Sequence, residues 1–112
     1  MRVVDLRAVA TPYRHAPETA NTAAVITVAA AAGEIHVLES LEWSTDGTPT
    51  NCRLTAVVDG NTIVDVYITA AGPGQLHFPR GRYFPGSVNK AMVITLSAAG
   101  AGVSGSLVAM VR

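Results

Sequence analysis

Clusters of turn-forming residues (glycine, proline, asparagine and aspartate) interrupt the sequence at regular intervals from residue 31 onward. They are AAGE (31–34), DGTPTN (46–51), DGN (59–61), AGPG (71–74), PRG (79–81), FPGSVN (84–89) and AAGAG (98–102). Turn signals separated by roughly 8 to 12 residues are typical of β-sandwiches and β-barrels. The runs between the turns are rich in valine, isoleucine, threonine and leucine, which favour strands. No window after residue 22 combines helical spacing with a cap and a stop signal.

Apolar and polar residues alternate in several of these runs. The apolar series are Val64, Val66 and Ile68; Met92, Ile94 and Leu96; and Val103, Leu107 and Val111, with Gly105 and Ala109 between the last ones. Alternation with a period of two places the apolar side chains on one face of each strand, and that face can pack against a core. In EIHVLESLEWS (34–44), Glu39 interrupts a series made of Ile35, Val37, Leu41 and Trp43. A β-bulge at Glu39, or an acidic side chain at the rim of the core, would explain the interruption.

These patterns predict an all-β fold. We expect an antiparallel β-sandwich, jelly-roll or Ig-like, of about seven to eight strands that begin near residues 23–30. A barrel remains the alternative, because both architectures use the same periodicity. Asp59 and Gly60, inside VVDGNTIVD (57–65), predict a hairpin with a type I′ turn, which needs two positive φ angles.

The first 22 residues differ from the rest of the chain. RAVATPYRHAPETANT (7–22) contains two prolines and several small polar residues but no periodicity. This composition predicts an extended N-terminal arm over residues 1–22, followed by a sandwich domain over residues 23–112. An ordered segment without its own core pattern needs a surface to lie on, so we expect the arm to contact an adjacent subunit.

The charge content bounds the classes of partner. Charged residues form only 14% of the 112 residues and the formal net charge is zero, whereas a soluble domain usually has about 25% charged residues. We expect partners to cover part of so neutral a surface, but no direct nucleic acid and no membrane. The apolar run at 23–33 is shorter than the roughly 20 residues that span a bilayer. No segment resembles a signal peptide, so we expect synthesis in a cytoplasm.

The charges are unevenly placed along the chain. One segment is acidic, with Glu34, Glu39, Glu42 and Asp46, and another is basic, with Arg80, Arg82 and Lys90. These clusters are either solvated loops and edges or complementary faces that meet between subunits.

Candidate catalytic and metal-binding residues form no recognisable motif. His15, His36 and His77 show neither HxH nor HxxxH spacing. Cys52 is the single cysteine, so it can form neither an intrachain disulfide nor a Cys-based zinc site. We therefore predict a protein that is not an enzyme and that uses no cofactor and no metal.

The stretch GPGQLHFPRG (72–81) is the most unusual loop in the sequence. It lacks the Gly-Lys-Ser/Thr ending of a phosphate loop, and Pro73 removes an amide that such a loop would need. We expect Leu76 and Phe78 to turn inward as a short strand. His77, Arg80 and Arg82 would then lie outside, in a presentation loop that stacks on or pairs with the acidic strand of a neighbouring subunit.

The predicted contact residues belong to the arm and to this loop. They are Arg2, Arg7, Tyr13, Arg14, His77, Arg80, Arg82, Tyr83 and Phe84. Tyr83 and Phe84 follow two arginines, an arrangement that can stack nucleic-acid bases. The zero net charge and the presence of only one such patch argue against that use.

Residues 24–112 resemble a group of small β-rich virion proteins of tailed bacteriophages. The resemblance is carried by LEWS (41–44) with PT shortly after it, by VDVYITAAGPG (64–74) with an aromatic-proline ending, and by ITLSAAGAGVSGSL (94–107). It implies a structural, non-enzymatic head decoration (cement) protein that forms homotrimers or similar oligomers. Such a protein would bind the major capsid protein and stabilise the head lattice at the capsid surface of the virion. The alternative is a phage fibre, spike or host-surface binding module of the same fold.

Overall fold

The computed structural model describes residues 11–30, 32–33, 36–78, 84–85 and 89–112, and within these ranges the chain forms strands and no helix. It follows that no helix in the described ranges could span a membrane. The strands are β1 (Thr11–His15), β2 (Ala24–Val28), β3 (Val37–Thr45), β4 (Cys52–Val58), β5 (Asn61–Ile68), β6 (Gly72–His77), β7 (Phe84–Pro85), β8 (Met92–Leu96) and β9 (Gly105–Val111).

The strands form two antiparallel sheets. Sheet A has the order β1-β9-β3-β6, with the two-residue β7 also paired to β3, and sheet B has the order β2-β8-β4-β5. The predicted all-β sandwich is therefore confirmed, and the barrel alternative is excluded because the strands of the two sheets do not join into one closed ladder.

The core lies between the two sheets and is built from the alternation that the sequence shows. Met92, Ile94 and Leu96 of β8 are completely or almost completely buried, and so are Leu107 and Ala109 of β9. Inward-facing residues of β2, β4 and β5 complete the same apolar cluster. Burial of these side chains is the main source of the fold's stability.

Cys52 belongs to this core. Its side chain is buried at the start of β4, and its Sγ lies 3.5 Å from the carbonyl oxygen of Ser97. Burial raises the pKa of the Cys52 thiol, so the thiol stays protonated and unreactive at neutral pH.

A β-bulge at Glu39 confirms one of the two explanations for the interrupted pattern in β3. The pairing of β3 with β9 shifts between Leu38 and Ser40, and Leu38 and Leu41 on either side of the shift are both fully buried. A bulge changes side-chain parity by one residue. The expectation that Val37 shares the inward face with Leu41 is therefore wrong, and Leu38 takes that position.

The turn between β4 and β5 has the predicted geometry. Asp59 and Gly60 have φ angles of 51° and 78°, as a type I′ turn requires. Ile63 lies at a second irregularity in the same hairpin, where the register shifts between Ala56 and Val57.

The strands begin earlier than predicted, and the extended N-terminal arm is not confirmed. Thr11–His15 forms β1, which pairs with β9, and Tyr13 lies opposite Ala109 and packs against the core. Further along, Asn21 holds the chain to the turn before β9, since its backbone N–H donates to the Val103 carbonyl at 2.8 Å. The sequence hides β1 because prolines and polar residues in an edge strand leave little periodicity. Residues 1–10 lie outside the described residues.

The unusual GPGQLH segment pairs with the acidic strand of its own chain. It forms β6 and lies beside β3, the acidic strand, with Gln75 opposite Glu42. The inward direction of Leu76 and Phe78 is confirmed, because both pack against the core, while His77 is exposed. The backbone N–H of Phe78 donates to the Glu39 carbonyl at 2.9 Å, so the bulge also anchors the end of β6.

Gly74 makes room for the only tryptophan. It lies opposite Trp43 in the β3–β6 pair, and a Cβ at position 74 would come within 2.3 Å of two carbons of the indole ring. Trp43 is half-buried against the core, so the glycine allows the ring to lie over β6 at the edge of the sandwich.

We predict that Gly74→Ala lowers the free energy of unfolding by about 1–3 kcal/mol, because the indole must move out of its packed position. Urea denaturation measures this cost. In a Trp43→Val background the same substitution should cost much less, since the contacting atoms are gone. An equal cost in both backgrounds would show that the ring does not set the requirement for glycine.

We also predict that β1 is part of the folded unit. Deleting residues 1–15 should lower the free energy of unfolding by at least about 2 kcal/mol relative to deleting residues 1–10, because the longer deletion removes the pairing with β9 and the packing of Tyr13. Thermal and urea denaturation of the two truncated proteins give the comparison. Equal stabilities would mean that β1 contributes nothing to the sandwich.

Candidate binding surfaces

The predicted contact residues are dispersed in the structure. Arg14 and His77 are exposed on sheet A, on opposite sides of the two central strands β9 and β3. Tyr13 is directed to the core instead, and the backbone of Phe84 pairs with Leu38 in β7. The remaining predicted residues lie outside the described residues: Arg2, Arg7, Arg80, Arg82 and Tyr83.

The three histidines each have a separate local partner. Nδ1 of His15 accepts the backbone N–H of Val25 at 2.9 Å, which connects β1 to β2 across the two sheets. Nε2 of His36 lies 2.7 Å from the Ala29 carbonyl oxygen, to which it can donate. The described part of the chain contains no group of three or more His, Cys, Asp or Glu residues that could hold a metal ion.

The outer face of sheet B carries little charge. Two of its rows run across the sheet from β2 through β8 and β4 to β5. The rows are Val25–Thr95–Thr55–Asp65 and Thr27–Val93–Val57–Thr62. We call the valine and threonine residues of these rows the Thr/Val face. Val25 is 42% exposed on it, so apolar surface is open to contact.

The charged strand residues described on this face form one ion pair. Arg53 and Asp65 lie on the neighbouring strands β4 and β5, and the guanidinium binds both carboxylate oxygens, with Nε 2.6 Å from Oδ1 and Nη2 in contact with Oδ2. The guanidinium carbon of Arg53 also lies 5.3 Å from the centre of the Tyr67 ring, within the range of a cation–π contact. The charges are therefore satisfied locally, while Tyr67 stays 67% exposed.

The ion pair stabilises the charged form of both partners. The hydrogen bonds from Arg53 hold the pKa of the Asp65 carboxyl below its ordinary value of 3.8. The same contacts raise the pKa of Arg53 above that of an ordinary guanidinium. Both groups keep their charge over the physiological pH range.

The outer face of sheet A carries a groove of about 540 Å³. Its walls come from β9, β3 and β6, in two cross-strand rows that follow from the register: Val108–Glu42–Gln75 and Ser106–Ser44–Pro73. Trp43 and Gly74 also line it. We call this site the β3 groove.

One side of the β3 groove is a small hydrogen-bonded cluster. Nε2 of Gln75 lies 3.3 Å from Oε1 of Glu42 and 2.5 Å from Nε2 of His77. An amide nitrogen has two N–H donors, and these two contacts use both. Gln75 therefore connects Glu42 of β3 to His77 of its own strand.

The sequence by itself does not indicate the β3 groove. Glu42 belongs to an acidic segment, and no motif singles out Ser44 or Gln75. Their proximity depends on the register between β3 and β6, in which Ser40 opposes His77 and Ser44 opposes Pro73. The alternation of Glu42 with inward-facing neighbours is the one local signal that could have placed it on an outer face.

Comparison with known proteins identifies no family for this chain. No protein-family model matches the sequence, and no curated protein matches it. One similar solved structure is the CBM36-1 domain of a multidomain xylanase from the hindgut metagenome of Trinervitermes trinervoides, with 15% identity, a TM-score of 0.46, and coverage of 86% of this chain and 73% of that one. Another is dimeric latent PorU from Porphyromonas gingivalis, with 11% identity and a TM-score of 0.46, where 93% of this chain spans only 13% of that one. Neither likeness bears on function.

We predict that Asp65→Asn lowers the melting temperature slightly at pH 7, because Arg53 loses its anionic partner. The folded-state pKa of Asp65 is depressed, so the stabilisation is present above pH 3.8 and is lost as the pH falls through the folded-state value. The difference between wild type and variant should therefore shrink as the pH falls below 3.8 and at high salt. In an Arg53→Gln background, Asp65→Asn should show no such pH-dependent difference. A difference that persists there would assign the effect to another group.

Proposed function

We propose that this chain is a structural virion protein of a tailed bacteriophage, a capsid decoration protein that binds the head lattice and stabilises it. It would be made in the host cytoplasm and would function at the capsid surface, as a homo-oligomer, with a trimer favoured, in contact with the major capsid protein. The resemblance of residues 24–112 to small β-rich virion proteins motivates this assignment. The observation that supports it best is the Thr/Val face of sheet B.

The Thr/Val face has the properties of a surface that contacts another protein. The centres of protein interfaces are poor in unpaired charge and contain apolar and aromatic side chains. Val25 is exposed on this face. Beside it on the outer face of sheet B, Arg53 and Asp65 neutralise each other and Tyr67 is exposed. Branched side chains in a rigid sheet also lose little conformational entropy on docking.

A fibre, spike or host-surface binding module of the same fold is the second candidate function. The β3 groove favours it, because a concave polar site on an outer face can bind a small part of a host surface. The two functions use different sheets, so experiments can separate them.

We predict that the protein co-sediments with phage heads that lack it. The heads are prepared from the phage that encodes this chain after deletion of its coding sequence. Wild-type protein should pellet with these heads in a fixed ratio and raise their resistance to heat, because docking holds neighbouring capsid subunits together. Val25→Lys/Thr27→Lys should not pellet, because two lysines on exposed positions of β2 would have to be desolvated in the interface.

The matched control is Thr48→Lys/Ala101→Lys, which adds the same charge at exposed loop positions. It should pellet like wild type, and circular dichroism should show that both variants are folded. If wild type does not pellet, the decoration function is wrong. If all three proteins pellet equally, the function stands and the Thr/Val face is not the docking surface.

A further inference from the structure

The β3 groove has the chemistry of a carbohydrate site, and we propose that it binds an uncharged saccharide. The site lies on sheet A, whereas the proposed capsid contact lies on sheet B. The inference therefore does not depend on the decoration role, and it names a ligand class for the groove on which the second candidate function relies.

The groove is preorganised. Three adjacent strands supply its walls, and each wall residue is placed by a cross-strand pair in the β3–β6 or β3–β9 ladder. Its volume of about 540 Å³ lies within the range of roughly 300–1,000 Å³ for ligand sites. A rigid site matters for a saccharide, because its many weak hydrogen bonds leave little free energy to order the protein.

The polar groups match the hydroxyl groups of a sugar. Oε1 of Glu42 receives the Gln75 amide, and among the described residues no donor contacts its other carboxylate oxygen, which can accept from a ligand hydroxyl. Gln75 spends both N–H groups on Glu42 and His77, so its carbonyl oxygen is its remaining acceptor. The hydroxyls of Ser44 and Ser106, which lie opposite each other in the β3–β9 pair, can each donate and accept.

The apolar and charged side chains that line the groove further narrow the class of ligand that it can bind. Val108 and Pro73 line the groove on either side of β3 and can contact the C–H faces of a sugar ring. Glu42 is the only charged side chain among the residues that line the groove. An anionic ligand, such as an acidic sugar or a phosphate, would be repelled by this carboxylate. A peptide strand would instead pair with the backbone at a sheet edge, whereas the groove lies on the outer face of the sheet, across β9, β3 and β6.

The test uses nuclear magnetic resonance of the full-length, ¹⁵N-labelled protein. The probes are the neutral oligosaccharides maltohexaose, cellohexaose, mannohexaose and chitohexaose, with hexagalacturonate as the anionic probe. At least one neutral probe should shift the amide signals of Glu42, Ser44, Gln75 and Ser106 with saturation, and hexagalacturonate should not. The proposal is wrong if no neutral probe shifts these amides, if the shifts lie elsewhere, or if the anionic probe binds as well as the neutral ones.

Two variants then test the residues. Glu42→Gln and Gln75→Ala should each weaken binding of the active probe by about tenfold or more, because each removes an acceptor that would form a hydrogen bond with a saccharide hydroxyl. Thr55→Ala, on the outer face of sheet B, is the matched control and should bind like wild type. Both groove residues are exposed, so the variants should fold, and thermal denaturation checks this. Unchanged affinity in both folded groove variants would overturn the assignment.

Discussion

The register of β3 is the constraint on which most of this structure depends. The strand pairs with β9 on one side and with β6 and β7 on the other, and the bulge at Glu39 sets which of its side chains face the core. Because side chains alternate along a strand, a shift by one residue would exchange every inward and outward position. Leu41 would leave the core, and Glu42 would enter it without a partner. Burial of a charged group without a partner costs several kcal/mol, so the sandwich tolerates only one register here.

The same register gives the two sheets different outer faces. On sheet B, rows of valine and threonine residues lie beside one ion pair between Arg53 and Asp65. On sheet A, the rows that cross β3 place a carboxylate, an amide and two hydroxyls in one concave site. Glycine has a specific part in this arrangement, because Gly74 leaves space for the Trp43 ring beside the groove. A low charge content is therefore compatible with two chemically different outer faces on opposite sides of one small core.

Much of the fold could be predicted from the sequence, whereas most of the candidate site could not. The spacing of turns, the alternation in β5, β8 and β9, the Asp59-Gly60 hairpin and the bulge at Glu39 all follow from local chemistry, and the structure confirms them. β1 was missed because Pro12, Arg14 and His15 give an edge strand no apolar period. The groove was missed because Glu42 and Gln75 are 33 residues apart, and only the strand pairing brings them together.

The sequence by itself determined the class of fold, because alternation and turn chemistry are properties of neighbouring residues that act before any long-range contact forms. It also determined that the core would be aliphatic and that the surface would carry few charges. Only the tertiary structure decided which strands are neighbours, that the acidic strand pairs with the GPGQLH segment of its own chain, and which polar side chains converge. These outcomes depend on a balance between the entropy cost of closing long loops and the free energy gained when the inner faces of both sheets are buried together. No local pattern of residues encodes that balance.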